Sequence, residues 1–509
     1  MVPEERNPSA EEIAVSAPSS RKPFLLMVAS MLIATLAAPV TWAGTPQEPM
    51  ATAGLTADSR VAEAAALLEV WLDAEMAYDR IPGLTAGFVH DQQLLWSTAL
   101  GVADRDSGRP ATVDTLFSIC SISKLFTSVS LMQQRDAGRV DLDDPVAEHL
   151  PWFQIADAYP DAAPVRVRGL LTHSAGLPRE ADFPYWSGPD FPFPTRDQII
   201  ERVREQAELY PAETYYQYSN LGLTLVGEIT AAVSGQPYAD YVRAHVLDPL
   251  GMSDTYPEIP SDHDRMATGY GTRGRDGERE QIMRFAARGI APAAGYASTV
   301  EDLARFASWQ FRLLAEGGNE VLDANTLREM QRVQWVDADW GAHRGLGFGV
   351  WRSNDKTYVG HGGSCPGFRS HLSLQMDDEV AAIAMANAMI NPNRYTAAIH
   401  KAMAPRVKAA LADPEGATEA DPDLERFVGR YESFWGEGAI VRWEGGLAML
   451  SLPTADPVEA LSKLRHIEGT TFRRVRDDGA LGEEIEFDVD SEGRVLRLWQ
   501  HSNPSDRVR

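Results

Sequence analysis

The chain has 509 residues, of which 44% are hydrophobic and 24% charged, the balance of folded globular protein and not of a disordered or collagen-like one. With 47 basic against 73 acidic side chains the formal charge is −26, the opposite of what a nucleic-acid-binding surface needs. Two cysteines exclude a disulfide-dense scaffold and a Cys-rich metal site, and only six of the basic residues are lysine: Lys22, Lys124, Lys356, Lys401, Lys408 and Lys463.

Residues 1–23 are polar and end in Arg21-Lys22-Pro23, and 24–40 then run without a charge to Thr41-Trp42-Ala43. A basic flank, an apolar core and small residues predict a signal peptide over 1–43, cut after Ala43; an uncleaved anchor is the alternative. The expected location is therefore periplasmic or secreted, with membrane contact only through that segment. Residues 44–57 are expected to be flexible.

Helical spacing follows over 58–78, then two short strands over 84–89 and 94–100 joined by a turn at 90–93. From 121 to 137 apolar residues recur at Ile122, Leu125, Phe126, Val129 and Met132, a helix with one buried face stopped by Gly138. Further helices are predicted over 196–207, 221–233 and 301–315, and strands over 346–352, 371–376 and 380–387. The order implies an α+β domain over 58–405, an antiparallel sheet with helices packed on it. The Pro-, Ala- and acid-rich stretch 411–423 marks a linker, placed at 406–423. Short alternating runs between glycine turns predict a small all-β domain, barrel or sandwich, over 424–509.

Three short motifs carry chemistry. Ser121-Ile122-Ser123-Lys124 opens the amphipathic helix, and residues three apart share a helix face, so the lysine amine can reach the serine hydroxyl. Unlike arginine, lysine can lose its proton when buried and act as a base. Read alone, the motif also fits an N-cap serine with an incidental surface lysine. Tyr218-Ser219-Asn220, 97 residues on, offers a phenol that can shuttle protons if a cation lowers its pKa, and an amide that can hold a lysine or a carbonyl; alone it is a helix cap. His361-Gly362-Gly363-Ser364 lies between the strand ending near Trp351 and the hairpin beginning at His371. Its glycines would let a substrate backbone approach, and the Ser364 N–H could donate to an oxyanion.

Together, in this order, the three motifs resemble the serine β-lactamase and penicillin-binding-protein superfamily, in the branch of class C β-lactamases, D-aminopeptidases, D-Ala-D-Ala carboxypeptidases and EstB-type esterases. The stretches 116–118, 138–146, 170–177, 293–299 and 345–351 read like that family too. The resemblance implies a β-lactamase-like sheet flanked by helices, with an all-helical subdomain. It also implies Ser121 as acylated nucleophile, Lys124 as its proton acceptor and Tyr218 as the relay to the leaving group. Asn220, His361, Gly363 and Ser364 would bind substrate, with the Ser121 and Ser364 N–H groups as oxyanion hole. No metal or cofactor is implied.

His361 stands where many β-lactamases have lysine; being only partly cationic near neutral pH, it weakens the case for efficient β-lactam hydrolysis. His173 reads as a buried turn histidine. Cys120 precedes the nucleophile and Cys365 follows the second oxyanion donor, a placement shared with class A carbapenem-hydrolysing enzymes that implies a Cys120–Cys365 bridge, with two free thiols as the alternative. The 424–509 segment, with Phe427-Val428-Gly429-Arg430-Tyr431, Gly445-Gly446-Leu447 and Thr471-Phe472, resembles the lipocalin-like barrel appended to some of these enzymes. The expected function is a serine hydrolase of small amides or esters, such as D-amino-acid peptides, cell-wall fragments or short esters. A β-lactamase, an acyltransferase and a slowly deacylating β-lactam or peptidoglycan sensor are the alternatives. The partner is a small molecule or peptide, and the sequence gives no oligomeric state.

Overall fold

The computed structural model describes residues 53–183, 185–259, 263–353, 355–417 and 421–508. The expected signal peptide, 1–43, and 44–52 of the expected flexible segment lie outside them, while Ala53–Ala57 is helical. Among the described residues no helix is long and apolar enough to cross a membrane.

Helix α1 (Ser59–Asp79) starts at Asp58, whose carboxylate accepts from the Arg60 N–H, and ends at Arg80 in the left-handed conformation. Its buried residues Val61, Ala64, Leu68, Trp71 and Leu72 recur at three- and four-residue steps, so they form one stripe. Strands β1 (Gly83–His90) and β2 (Gln93–Asp104) form the expected hairpin. The remaining long strands of the same sheet come from the far end of the domain: β3 (Gly349–Ser353), β4 (Lys356–Cys365), β5 (Phe368–Gln375) and β6 (Val380–Ala386). With three two-residue strands at its edges the sheet runs 109–110, β2, β1, β6, β5, β4, β3, 343–344, 335–336, every neighbour antiparallel.

Alternation along the central strands divides the core into two layers. Leu84, Ala86 and Phe88 of β1 and Ala382, Ala384 and Ala386 of β6 face α1 and helix α5 (Asn393–Ala412). Ala381, Ile383, Met385 and Leu372 point the other way. They join the core that holds helices α2 (Ser123–Asp136), α3 (Asn220–Ser234) and α4 (Val300–Glu316). The glycine-rich strand β4 was not among the expected strands: the 361–364 motif lies inside a strand, not in a connection. Helix α5 also corrects the linker, because Val407 and Ala410 continue its buried face and 406–412 stay helical to Ala412.

Residues 429–507 form a closed barrel of eight antiparallel strands, whose ends meet where Gly429–Ser433 pairs with Asn503–Arg507. Phe427, Tyr431, Phe472, Ile485 and Phe487 fill it. Ala439, Val441, Trp443 and Leu450 share the core of α1 and α5, and Glu63 of α1 accepts from the backbone of Glu444 and Gly445.

Candidate active site

The strand Phe117–Cys120 leads into the site beneath β4 and β5. The Ser370 hydroxyl donates to Ile119 O at 2.8 Å. A Cβ at Gly363 would stand 2.2 Å from that same oxygen and 2.1 Å from Ser370 Oγ, so only glycine allows β4 to lie this close. Cys120 takes a left-handed φ of 51°, rare for a residue with a side chain. The turn is held by Ser123, whose hydroxyl donates to Cys120 O at 2.5 Å and accepts from Tyr296 N at 3.0 Å. Ser121 and Ile122 form this turn, and α2 begins two residues later than the spacing predicts.

Lys124, on the first turn of α2, is fully buried. Its Nζ donates to Asn220 Oδ1 at 2.8 Å and Ala293 O at 2.7 Å, and lies 3.1 Å from Ser121 Oγ. Burial pushes its pKa well below the ordinary lysine value; Glu180 opposes the shift and Arg179 adds to it. A neutral amine has two protons and one lone pair. The two carbonyl-type oxygens take the protons, which leaves the lone pair for the Ser121 hydroxyl.

Asn220 opens α3, capped by the Ser219 hydroxyl, which accepts from Gly222 N at 2.9 Å and donates to Pro178 O at 2.7 Å. Tyr218 lies just before the cap. Lys124 Nζ lies 4.9 Å and the Arg179 guanidinium 5.0 Å from the centroid of its ring. Burial outweighs the lowering effects of Ser121, Arg179 and Arg344 and raises the phenol's pKa to about 12, so the condition for an ionised tyrosine is not met and the phenol keeps its proton.

His361 faces Tyr218 with ring centroids 6.2 Å apart, and its Nδ1 lies 2.6 Å from Gly362 O, the geometry of an Nδ1–H donor. Burial, with help from Lys124, lowers its pKa to about 3. The partly cationic histidine of the sequence reading is therefore neutral. Beyond Gly360, β4 pairs only with β5, because β3 stops at the Gly349–Gly360 pair; the 361–365 backbone, including Ser364, has one open edge. A disulfide joins Cys120 to Cys365 with Cα atoms 5.6 Å apart, tying the residue before Ser121 to the residue after Ser364.

Four further residues belong to this site. Glu180 Oε1 accepts from Asn220 Nδ2 at 2.6 Å and from Trp186 Nε1 at 2.7 Å, and its Oε2 accepts from the Tyr185 hydroxyl at 2.6 Å. Arg179 Nε lies 3.5 Å from Glu180, and Arg344 donates to the Tyr216 hydroxyl at 2.6 Å. His173 is buried in a turn as expected. It also accepts from Ser219 N at 3.1 Å and packs its ring 4.4 Å from that of Tyr218. Spacing gave no signal for Arg179, Glu180 or Arg344.

This fold and this site are those of a β-lactamase-like serine hydrolase. The chain belongs to the Beta-lactamase family, whose model matches residues 68–404. Penicillin-binding protein 4 of Amycolatopsis lactamdurans is 26% identical over 374 residues, 71% of this chain and 95% of that one. Beta-lactamase-like protein 2 of Dictyostelium discoideum is 32% identical over 178 residues, so the chain spans 32% of that relative's length and the match 34% of its own. The crystal structure of D-amino acid amidase from Ochrobactrum anthropi SV3, complexed with L-phenylalanine amide, aligns with a TM-score of 0.56 at 25% identity. It covers 70% of this chain and all of that one (100%).

Proposed function

We propose that the protein is an extracytoplasmic serine hydrolase that forms an acyl-enzyme at Ser121 on small amides or esters, D-aminoacyl amides and peptides foremost. The observation that carries this reading is the coordination of Lys124. An amine buried without a carboxylate touching it, and already supplied with two acceptors, is poised to take the serine proton.

In this reading Ser121 Oγ attacks the carbonyl carbon as its proton passes to Lys124 Nζ. The N–H groups of Ser121 and Ser364 hold the oxyanion. When the carbon–nitrogen or carbon–oxygen bond breaks, the proton reaches the leaving group through the Tyr218 phenol, and Lys124 is neutral again. Water then attacks the ester, gives its proton to the same relay, and Ser121 Oγ recovers a proton as it departs. Glu180 supplies the negative charge beside Asn220 that an aminoacyl substrate's α-ammonium needs, and the likeness to a D-amino acid amidase agrees with it. A neutral His361 offers no cation to a β-lactam carboxylate. The disulfide supports an oxidising compartment.

The test is a hydrolysis panel of D- and L-aminoacyl amides, p-nitrophenyl esters and nitrocefin. Turnover of D-aminoacyl amides and esters, abolished in Ser121→Ala, is expected. A stoichiometric adduct without turnover, or activity that survives Ser121→Ala, overturns the reading.

A further inference from the structure

A groove of about 950 Å³ leaves the site at Tyr218, Arg344 and His361, crosses the outer face of β3, β4 and β5 beside α5, and reaches Lys408 and Asp456. Its floor is open where side chains are missing: Gly349 pairs with Gly360, and Gly362 lies across from His371. Two residues further along the same face, Trp351 and Tyr358 stack at 5.9 Å and continue the floor towards Lys356. The opposite side of the site is different. There a cavity of about 330 Å³ adjoins Ser364 and is lined by Trp186, Phe191, Ile282 and Met389, room for one apolar side chain.

The groove is basic in an acidic protein. Arg344, Arg352, Lys356, Arg394, Lys401 and Lys408 line it against Asp378 and Asp456, so three of the chain's six lysines are here. Arg352 and Lys356 each have one carboxylate partner and Arg394 and Lys401 two each, so the groove's unmatched positive charge lies at its two ends. Among the described residues Arg344, at the site end, and Lys408, at the far end, have none. The wall also holds an unmet acceptor. His400 is 6% exposed, its Nε2 lies 3.1 Å from Ser373 O as donor, and its Nδ1 is buried without a partner. Burial keeps the ring neutral, with a pKa near 4.

We propose that this groove is the leaving-group side of the substrate site and takes an extended acidic peptide, so that the enzyme cleaves within peptide chains as well as from small amides. The inference rests on the hydrolase reading above, in which Tyr218, part of the groove's lining, returns the proton to the departing amine. From Gly362 to Lys356 the strand rises about 20 Å at roughly 3.3 Å per residue, so the groove accommodates about six extended residues. The reaction remains the same acyl transfer: the amide bond breaks, the departing amine takes the relayed proton, and water releases the acyl group.

The experiment compares kcat/KM for a D-aminoacyl p-nitroanilide with D-aminoacyl peptides of one, three and six further residues, in glutamate-rich and lysine-rich versions. The six-residue glutamate-rich peptide is expected to exceed both the one-residue and the lysine-rich peptides by about tenfold or more. Lys408→Glu, an exposed position, should bring the ratio of that peptide to the one-residue peptide back towards one, with p-nitroanilide turnover kept. Amidating the C-terminus then distinguishes a terminal carboxylate from acidic side chains as the source of the gain; either leaves the proposal standing. A ratio independent of length, a lysine-rich preference, or a ratio unchanged in Lys408→Glu overturns it while p-nitroanilide turnover persists. Absence of p-nitroanilide turnover in the native enzyme overturns the hydrolase reading instead.

Discussion

Asn220 donates its amide proton to Glu180 Oε1 at 2.6 Å, and this single bond decides which way the amide points. The Oδ1 atom is thereby turned to Lys124 Nζ, 2.8 Å away. Glu180 thus orients the acceptor that draws one proton of the lysine away from Ser121. In Glu180→Gln the side chain keeps its shape but brings an NH2 group among donors from Asn220, Trp186 and Tyr185, and one of them loses its acceptor. Aminoacyl amide hydrolysis is expected to fall by about 10–100-fold in kcat/KM, and ester hydrolysis by less, since an ester without an amine has no use for the charge. Steady-state kinetics on both substrates check this. Equal losses would confine Glu180 to orienting Asn220.

Lys124→Arg puts a permanent cation where a proton-accepting amine stood, because a guanidinium stays protonated even when buried. Activity is expected to drop by at least about 10²-fold, with the rate of ester burst formation falling in parallel. Near-native acylation by this variant would remove Lys124 from the proton path.

The pH profile follows from two buried groups shifted in opposite directions. Lys124 has its pKa lowered, so its neutral, proton-accepting form gains population as pH rises along the acid limb. Tyr218 has its pKa raised to about 12, so the phenol keeps its proton over the whole working range. On an ester without an amine the expected kcat/KM curve climbs with pH and then stays level to roughly pH 10, without the descending limb that an ordinary tyrosine would impose. A descent centred near neutral pH would show that a different group titrates in the free enzyme.

The Cys120–Cys365 bridge closes a separation of 245 residues and ties the residue before Ser121 to the residue after Ser364, the two N–H groups proposed to hold the oxyanion. Its removal in Cys365→Ser is expected to cost about 2–4 kcal/mol of stability, read by denaturant unfolding. It should also lower kcat more than it raises KM, because the N–H donors act on the tetrahedral intermediate more than on bound substrate. A stability loss with kcat unchanged would make the bridge a purely structural staple.

Much of this architecture is written in local patterns. The three-residue spacing of Ser121 and Lys124 on an amphipathic helix, the Tyr218–Asn220 pair before an apolar run, and the β1–β2 hairpin each depend on neighbours in sequence, and the structure brings those side chains together. Strand β4 escaped because Gly360, Gly362 and Gly363 break the alternation of apolar and polar residues that announces a strand, although pairing with β5 makes it one. Glu180, Arg179 and Arg344 could not be found from spacing. Glu180 reaches Asn220, Arg179 the Tyr218 ring and Arg344 the Tyr216 hydroxyl, from a turn and a two-residue strand whose approach is decided by tertiary packing. Closure of the barrel depends on its first and last strands meeting, a pairing about 70 residues apart that no local run of residues encodes.

The unpaired side of residues 361–365 has one more consequence. A chain laid against it can pair with its N–H and C=O groups in one of two directions, parallel or antiparallel. Once polarity is set, mirror-image residues at the reacting carbonyl project their side chains in different directions from the same backbone. Only one direction leads to the apolar recess beside Ser364.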